Sequence, residues 1–388
     1  MDNRQRDIQL LFFELLKISV GRIGIMTREP EIEEWYQLFR IVREHALVGV
    51  CSTAVERMSV SCRPPRELLV KWGFMVGKVI QWNRILDNRC SELTMELDKA
   101  GFDSCVLKGQ GIARLYPVSQ FRQCGDIDLW VWPKNKSVKS WSDYVHSIVR
   151  YADGNKGSGK DYSLEVRYHH VEMPTEDGLS VELHYRPAYM YSPLRNNRLQ
   201  HWFCENRKDL VRYEDINSYV PSVSFNIIFI LTHIYRHLFE DGIGLRQVMD
   251  YYYVVLSYNR EQLAAEAGVK KNMETKTLSA LRNLGLYSMA RAMMFVLHEV
   301  FGLSEDEMIV PQNKDIGRFV LDEIMKAGNF GNYDSRTNHS LKQSSLGWFY
   351  LKLKRSARLL RYFPEESMSC LYFNTYQRLW RIRHKQSV

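Results

Sequence analysis

The chain has no Cys-x-x-C pair, no apolar run of membrane-spanning length and no internal repeat. Each absence removes a class of protein. The seven cysteines, at positions 51, 62, 90, 105, 124, 204 and 370, are odd in number and lack metal-ligand spacing. This argues against a disulfide framework or a structural zinc site, and for free thiols in a reducing, cytoplasmic setting. The apolar stretch from Val220 to Ile234 carries Pro221, Asn226 and His233. It is shorter than the roughly 20 residues a membrane span needs, so it reads as a buried helix and no transmembrane segment is expected. The run Ile8 to Ile18 is interrupted by Glu14 and Lys17, follows Asp2 and Asp7, and leads to no small-residue cleavage site. An amphipathic helix is expected there, not a secretory signal.

What remains is an ordinary globular composition, 45% hydrophobic and 25% charged, on a chain of 388 residues. That length supports two or three domains. A formal charge of +8 and a pI near 9.0 favour anionic partners: nucleotides, nucleic acid or an anionic peripheral surface. Helical spacing occupies the N-terminal region, residues 1–100, where Pro64-Pro65 breaks the pattern and Glu67 to Leu97 forms one long run. Strand alternation and glycine turns dominate residues 101–190. Helical spacing then returns over residues 191–388 and ends in a basic tail. The expected fold is α+β, a mixed β-sheet core flanked by N- and C-terminal helical regions.

The chemistry concentrates in Gly125-Asp126-Ile127-Asp128-Leu129-Trp130-Val131. On a strand, Asp126 and Asp128 share one face and Ile127 and Leu129 the other. Two neighbouring carboxylates repel, and a divalent cation between them relieves the repulsion; oxygen ligands favour magnesium or manganese. A lone Asp-x-Asp is also what an exposed strand face carries, so its neighbours decide. Upstream, the apolar strand Ser104 to Leu107 meets Lys108-Gly109-Gln110-Gly111, and a helical pattern then runs to Pro117. A glycine turn at a helix start presents backbone N–H groups to an anion, while Lys108 and Arg122 add charges suited to phosphate. Downstream, Glu182 and His184 share one face of the alternating segment Ser180 to Tyr185. Glu182 is a third carboxylate for a metal site.

Leu107-Lys108-Gly109, Tyr116, Arg122, Gly125 to Leu129 and Val181-Glu182-Leu183-His184-Tyr185 together resemble the uncharacterised nucleotidyltransferase family of the DNA polymerase β-like superfamily. The resemblance is strongest from Gly101 to Tyr185. It implies a nucleotidyltransferase-like core in which Asp126, Asp128 and Glu182 are the catalytic and metal-binding acids. Lys108, Gly109, Gln110, Gly111, Arg122 and Gly125 would hold the nucleotide, with Mg2+ or Mn2+ as cofactor. Gly109-Gln110-Gly111 departs from the usual Gly-Ser or Gly-Gly turn of the superfamily. By the same resemblance His237, Arg246 and Asp250 line the substrate cleft. His170 and His184, on strands beside the acids, are candidates to meet phosphates or an acceptor hydroxyl.

Two features compete with this reading. Gly154 to Lys160 has the spacing of a phosphate-binding loop, but Asp161 stands where Ser or Thr would hold magnesium, and a strand pattern follows in place of a helix. It reads as a Gly/Lys loop between a helix and a strand. Lys352, Lys354, Arg355, Arg358 and Arg361 interleave with leucines, a pattern that binds nucleic acid or anionic membrane but more often marks a solvated helix face.

The expected activity is metal-dependent transfer of an NMP group from an NTP, ATP or another, to an acceptor hydroxyl, with release of pyrophosphate. The sequence leaves the acceptor open among small molecule, protein and nucleic acid. The alternative is a catalytically silent nucleotidyltransferase-fold protein that binds nucleic acid or a protein partner. A phosphotransferase that moves the γ-phosphate is a third class.

Overall fold

The computed structural model describes residues 3–135, 140–155, 164–173, 175, 178–213, 216–331, 334 and 345–385. Residues 156–160 of the glycine-rich motif, and hence Lys160, lie outside them. The chain divides into two compact units. The first comprises Met1–Asn83, Leu115–Gln123 and Glu240–Asn338, and the second Arg84–Arg114, Cys124–Phe239 and His339–Val388. The architecture is mixed α+β.

In the first unit, the described secondary structure is helical. Helix Ile32–Glu44 turns Trp35, Leu38, Phe39 and Val42 inward, at the three- and four-residue spacing of an apolar stripe. Its start is secured by Glu34, whose carboxylate accepts the Glu31 amide at 2.8 Å and both Arg28 Nη atoms at 2.6 Å. Helices Tyr287–Phe301 and Lys314–Ala327 approach closely because position 317 is glycine: a Cβ there would stand 2.4 Å from the Phe295 ring.

His45 lies buried in this unit, where its Nδ1 accepts the Leu245 amide at 3.1 Å. Burial pulls its pKa down to about 4 from the ordinary 6.5. The unfolded chain therefore binds more protons than the folded one between those values, so the contribution is complete above pH 6.5 and lost as pH falls through 4. The shift corresponds to about 3 kcal/mol. Urea unfolding across this window should show that loss, and His45→Gln should flatten it; an unchanged pH dependence in the variant would refute the assignment.

The second unit is built on a seven-stranded sheet: β1 Phe102–Val106, β2 Ile127–Pro133, β3 Glu165–Val166, β4 His170–Met173, β5 Val181–His184, β6 Val211–Tyr213 and β7 Ser218–Val220. The spatial order is β3-β4-β5-β2-β1-β7-β6. β2 pairs in parallel with β5, and β1 with β7; the other pairings are antiparallel. Helical spacing after Pro187 conceals β6 and β7, because each has three residues and β6 is an exposed edge strand that needs no apolar alternation. Helix Val223–Phe239 is buried without interruption from Phe225 onward, matching the expectation for the apolar stretch before Ile234.

The expected helix after the glycine turn is shorter than its pattern: it spans Gln110–Ala113 and stops before Pro117. Tyr116 belongs to the core of the first unit, where its ring lies 4.3 Å from that of Tyr253. The basic stripe also departs from a solvated face. The departure is partial: Lys354 and Arg361 are exposed, but in helix Ser345–Leu359 Lys352 and Arg355 are buried whereas Leu353 is exposed. No helix among the described residues is long and apolar enough to cross a membrane.

Candidate active site

The parallel pairing of β2 with β5 sets Asp128 directly opposite Glu182, and Asp126 enters from the residues leading into β2. Carboxylate oxygens of Asp126, Asp128 and Glu182 all lie within 4.8 Å of one another. Asp128 is buried, and its two oxygens have different surroundings. Oδ1 accepts the Lys108 ammonium at 2.8 Å and His184 Nε2 at 2.9 Å. Oδ2 is buried without a hydrogen-bond donor among the described residues. That is the environment of a cation ligand, since a buried carboxylate oxygen left unpartnered is costly. Three oxygen donors of this kind fit a hard divalent cation such as magnesium or manganese.

Two histidines hold Glu182. Its Oε2 accepts His170 Nδ1 at 3.1 Å and His184 Nε2 at 3.1 Å. The antiparallel β4–β5 register pairs His170 with His184, which explains why both reach one carboxylate. His184 Nδ1 lies 3.3 Å from the carbonyl oxygen of Arg186, so both ring nitrogens face acceptors and both carry protons. Burial opposes that charge, but hydrogen bonds to Asp128 and Glu182 outweigh it and raise the His184 pKa. Burial likewise opposes ionisation of Asp128 and Glu182, yet both remain depressed: Asp128 through Lys108 and His184, and Glu182, much further, through His170 and His184. Lys108 is raised because Asp128, Asp126 and Glu182 overcome its burial. Asp128 and Glu182 are therefore ionised together.

The glycine turn is shaped by close contacts. Gly109 has φ +47°, and a Cβ at Gly111 would stand 2.6 Å from the Val106 carbonyl oxygen, so neither position accepts a larger residue without movement. A Cβ at Gly125 meets nothing within 4 Å, so crowding does not require glycine there. Between the two turn glycines, the Gln110 side chain is buried with neither amide atom partnered among the described residues.

The other sequence candidates have the following partners. Arg122 and Asp250 form a buried bidentate pair in the first unit, with Nε–Oδ1 2.8 Å and Nη2–Oδ2 2.7 Å, and Tyr116 donates its hydroxyl to Oδ1 at 2.7 Å. Arg246, in the same unit, donates through Nη1 to the Gln123 carbonyl at 2.6 Å. His237 lies on the buried helix of the second unit, 3.0 Å from Arg236 Nη2 and with its ring 4.4 Å from that of His233.

Sequence reasoning gave no site role to His169 and Arg236. Arg236 Nη1 donates to His169 Nε2 at 2.7 Å, and that nitrogen also lies 3.1 Å from His170 Nδ1. Burial and the neighbouring cations push the His169 pKa far down, so His169 is neutral and carries its proton on Nδ1. The available signal was a charged residue inside an otherwise apolar helix, a placement that calls for a nearby partner. His169, His170, Glu182 and His184 form a second group whose ligand atoms lie within 4.8 Å of one another, sharing Glu182 with the acids.

A model of a family described as uncharacterised nucleotidyltransferase matches residues 31–293, which include the sheet and all three acids. No curated protein and no solved structure matches the chain significantly.

Proposed function

We propose that this chain, which belongs to the uncharacterised nucleotidyltransferase family, moves a nucleoside monophosphate from an NTP to an acceptor hydroxyl and releases pyrophosphate. The observation that carries the proposal is the convergence of carboxylate oxygens of Asp126, Asp128 and Glu182, together with the buried, unpartnered Oδ2 of Asp128. These acids would hold divalent cations, which when bound would lower the pKa of an attacking hydroxyl and neutralise charge on a leaving pyrophosphate.

The chain's own residues supply position and charge. Lys108, at the mouth of the glycine turn and 2.8 Å from Asp128, would take a phosphate oxygen when the triphosphate enters, with Gly109 to Gly111 shaping the cradle. Glu182 suits cation binding better than proton abstraction. A carboxylate held far below its ordinary range is ionised but a weak proton acceptor. His170 and His184 hold its Oε2 in place.

The experiment is incubation with each NTP labelled at the α-phosphate, with magnesium or manganese and a cell extract as acceptor source, followed by identification of the labelled product. Covalent α-label together with pyrophosphate is expected. Transfer of γ-label with formation of NDP would make the protein a phosphotransferase. Nucleotide binding with no transfer from any NTP would make it a silent binding protein of the same fold.

A further inference from the structure

On the second unit, a cavity of about 1090 Å³ opens beside the end of β5. Its volume lies just above the range usual for organic ligands, roughly 300–1,000 Å³. The walls are largely aromatic, including Trp130, Trp132, Trp141, Tyr168 and Phe373. Trp141 and Tyr372 are exposed and leave the interior open to solvent. Among the described residues, the lining contains Arg186 and Arg207 and no Asp or Glu.

Arg186 is the unusual group. Its side chain is stacked between two rings, the guanidinium carbon lying 4.2 Å from the centre of Trp141 and 4.1 Å from that of Tyr168. The residue is 8% exposed. Nη1 donates to the Tyr168 carbonyl at 2.6 Å, and no carboxylate meets the guanidinium among the described residues. Arg122, also deeply buried, shows the contrast, since it has Asp250 against it. Stacking on aromatic faces stabilises a guanidinium and leaves its planar edge of N–H groups for an anion. A buried cation so arranged, with no acid among the described lining residues, suits an anionic ligand.

We infer that this cavity binds a small organic anion, a carboxylate or phosphate attached to a flat ring, with the anion on Arg186 and the ring against the aromatic walls. The carboxylate or phosphate would take the free guanidinium edge as charge-assisted hydrogen bonds. The ring would replace water on surfaces that attract flat apolar groups. The site shares backbone with the acid cluster: the Arg186 amide donates to the His169 carbonyl at 3.1 Å, and the Arg186 carbonyl faces His184 Nδ1.

The test is calorimetric titration of the full chain, without NTP or metal, with benzoate and phenyl phosphate against benzamide, acetate and inorganic phosphate. At least one ring anion should bind about tenfold or more tightly than benzamide and than its ringless counterpart. Arg186→Met should erase the preference for anions while keeping the ring preference, and Tyr372→Ala, at the exposed mouth, should weaken the ring anions alone. Equal affinity for benzoate, phenyl phosphate and benzamide overturns the inference. So does the absence of saturable binding by either ring anion up to about 10 mM. The comparison of ligands on the unaltered chain decides even if Arg186→Met fails to fold. Because no nucleotide is present, failure here leaves nucleotidyl transfer untouched, and failure of transfer leaves this site standing.

Discussion

Asp128→Asn is expected to abolish the proposed nucleotide transfer while the chain still folds. Loss of a residue that merely supports a metal ligand costs about 10- to 100-fold, and Asp128 would be a ligand itself, so a fall of at least about 100-fold in transfer rate is expected. The stability effect runs against what the sequence suggests. Two adjacent acids repel, which alone predicts that removing one charge stabilises the metal-free protein. In the structure Asp128 already balances Lys108 at 2.8 Å and His184 at 2.9 Å, so asparagine leaves two buried cations weakly compensated. Asparagine retains an acceptor oxygen, which limits the destabilisation to about 1–3 kcal/mol. Asp126→Asn should lose transfer with less cost to stability, because Asp126 is only partly buried. Pyrophosphate release and thermal melts with and without magnesium measure both effects. Full transfer by Asp128→Asn would end the proposed mechanism.

Asp250→Ala unfolds the first unit more easily by about 3–5 kcal/mol, the usual cost of leaving one half of a buried ion pair. The Asp250 carboxylate takes two bonds from Arg122 and one from Tyr116, and both partners are buried. Removing Arg122 and Asp250 together, as Arg122→Met with Asp250→Leu, should recover most of the loss, since the uncompensated charge disappears with its partner. Urea unfolding of the two single variants and the double variant forms a closed cycle. A loss below about 1 kcal/mol in Asp250→Ala would mean that the pair does not hold this unit together. The cycle also separates two roles for Arg122, because a phosphate-binding arginine would affect NTP affinity in variants that remain folded.

Local pattern carried much of the architecture. Alternation around Asp126 to Trp130 and Val181 to His184 marked β2 and β5 because both bury an apolar face, and the long run from Glu67 to Leu97 marked helix Arg66–Lys99. β6 and β7 escaped detection since three residues carry too little periodicity to register. The helix after the glycine turn is shorter than its pattern for another reason. Propensity continued to Tyr116, but Tyr116 and Arg122 are held by Asp250, a residue more than a hundred positions away.

Side-chain identity and period-two spacing sufficed to put Asp126 with Asp128, and Glu182 with His184, each pair on one strand face, because those relations lie within a few residues. The parallel register that sets Asp128 opposite Glu182, the antiparallel one that brings His170 to the same carboxylate, and the approach of Arg236 to His169 arise from strand pairing and helix packing across long separations. Tertiary structure alone decided which charges meet. Sequence assigns Lys108 and Arg122 the same suitability for phosphate and gives Arg186 no role, and burial beside Asp128, against Asp250 or between two aromatic rings makes them different, because the energy of a charge is set by what surrounds it.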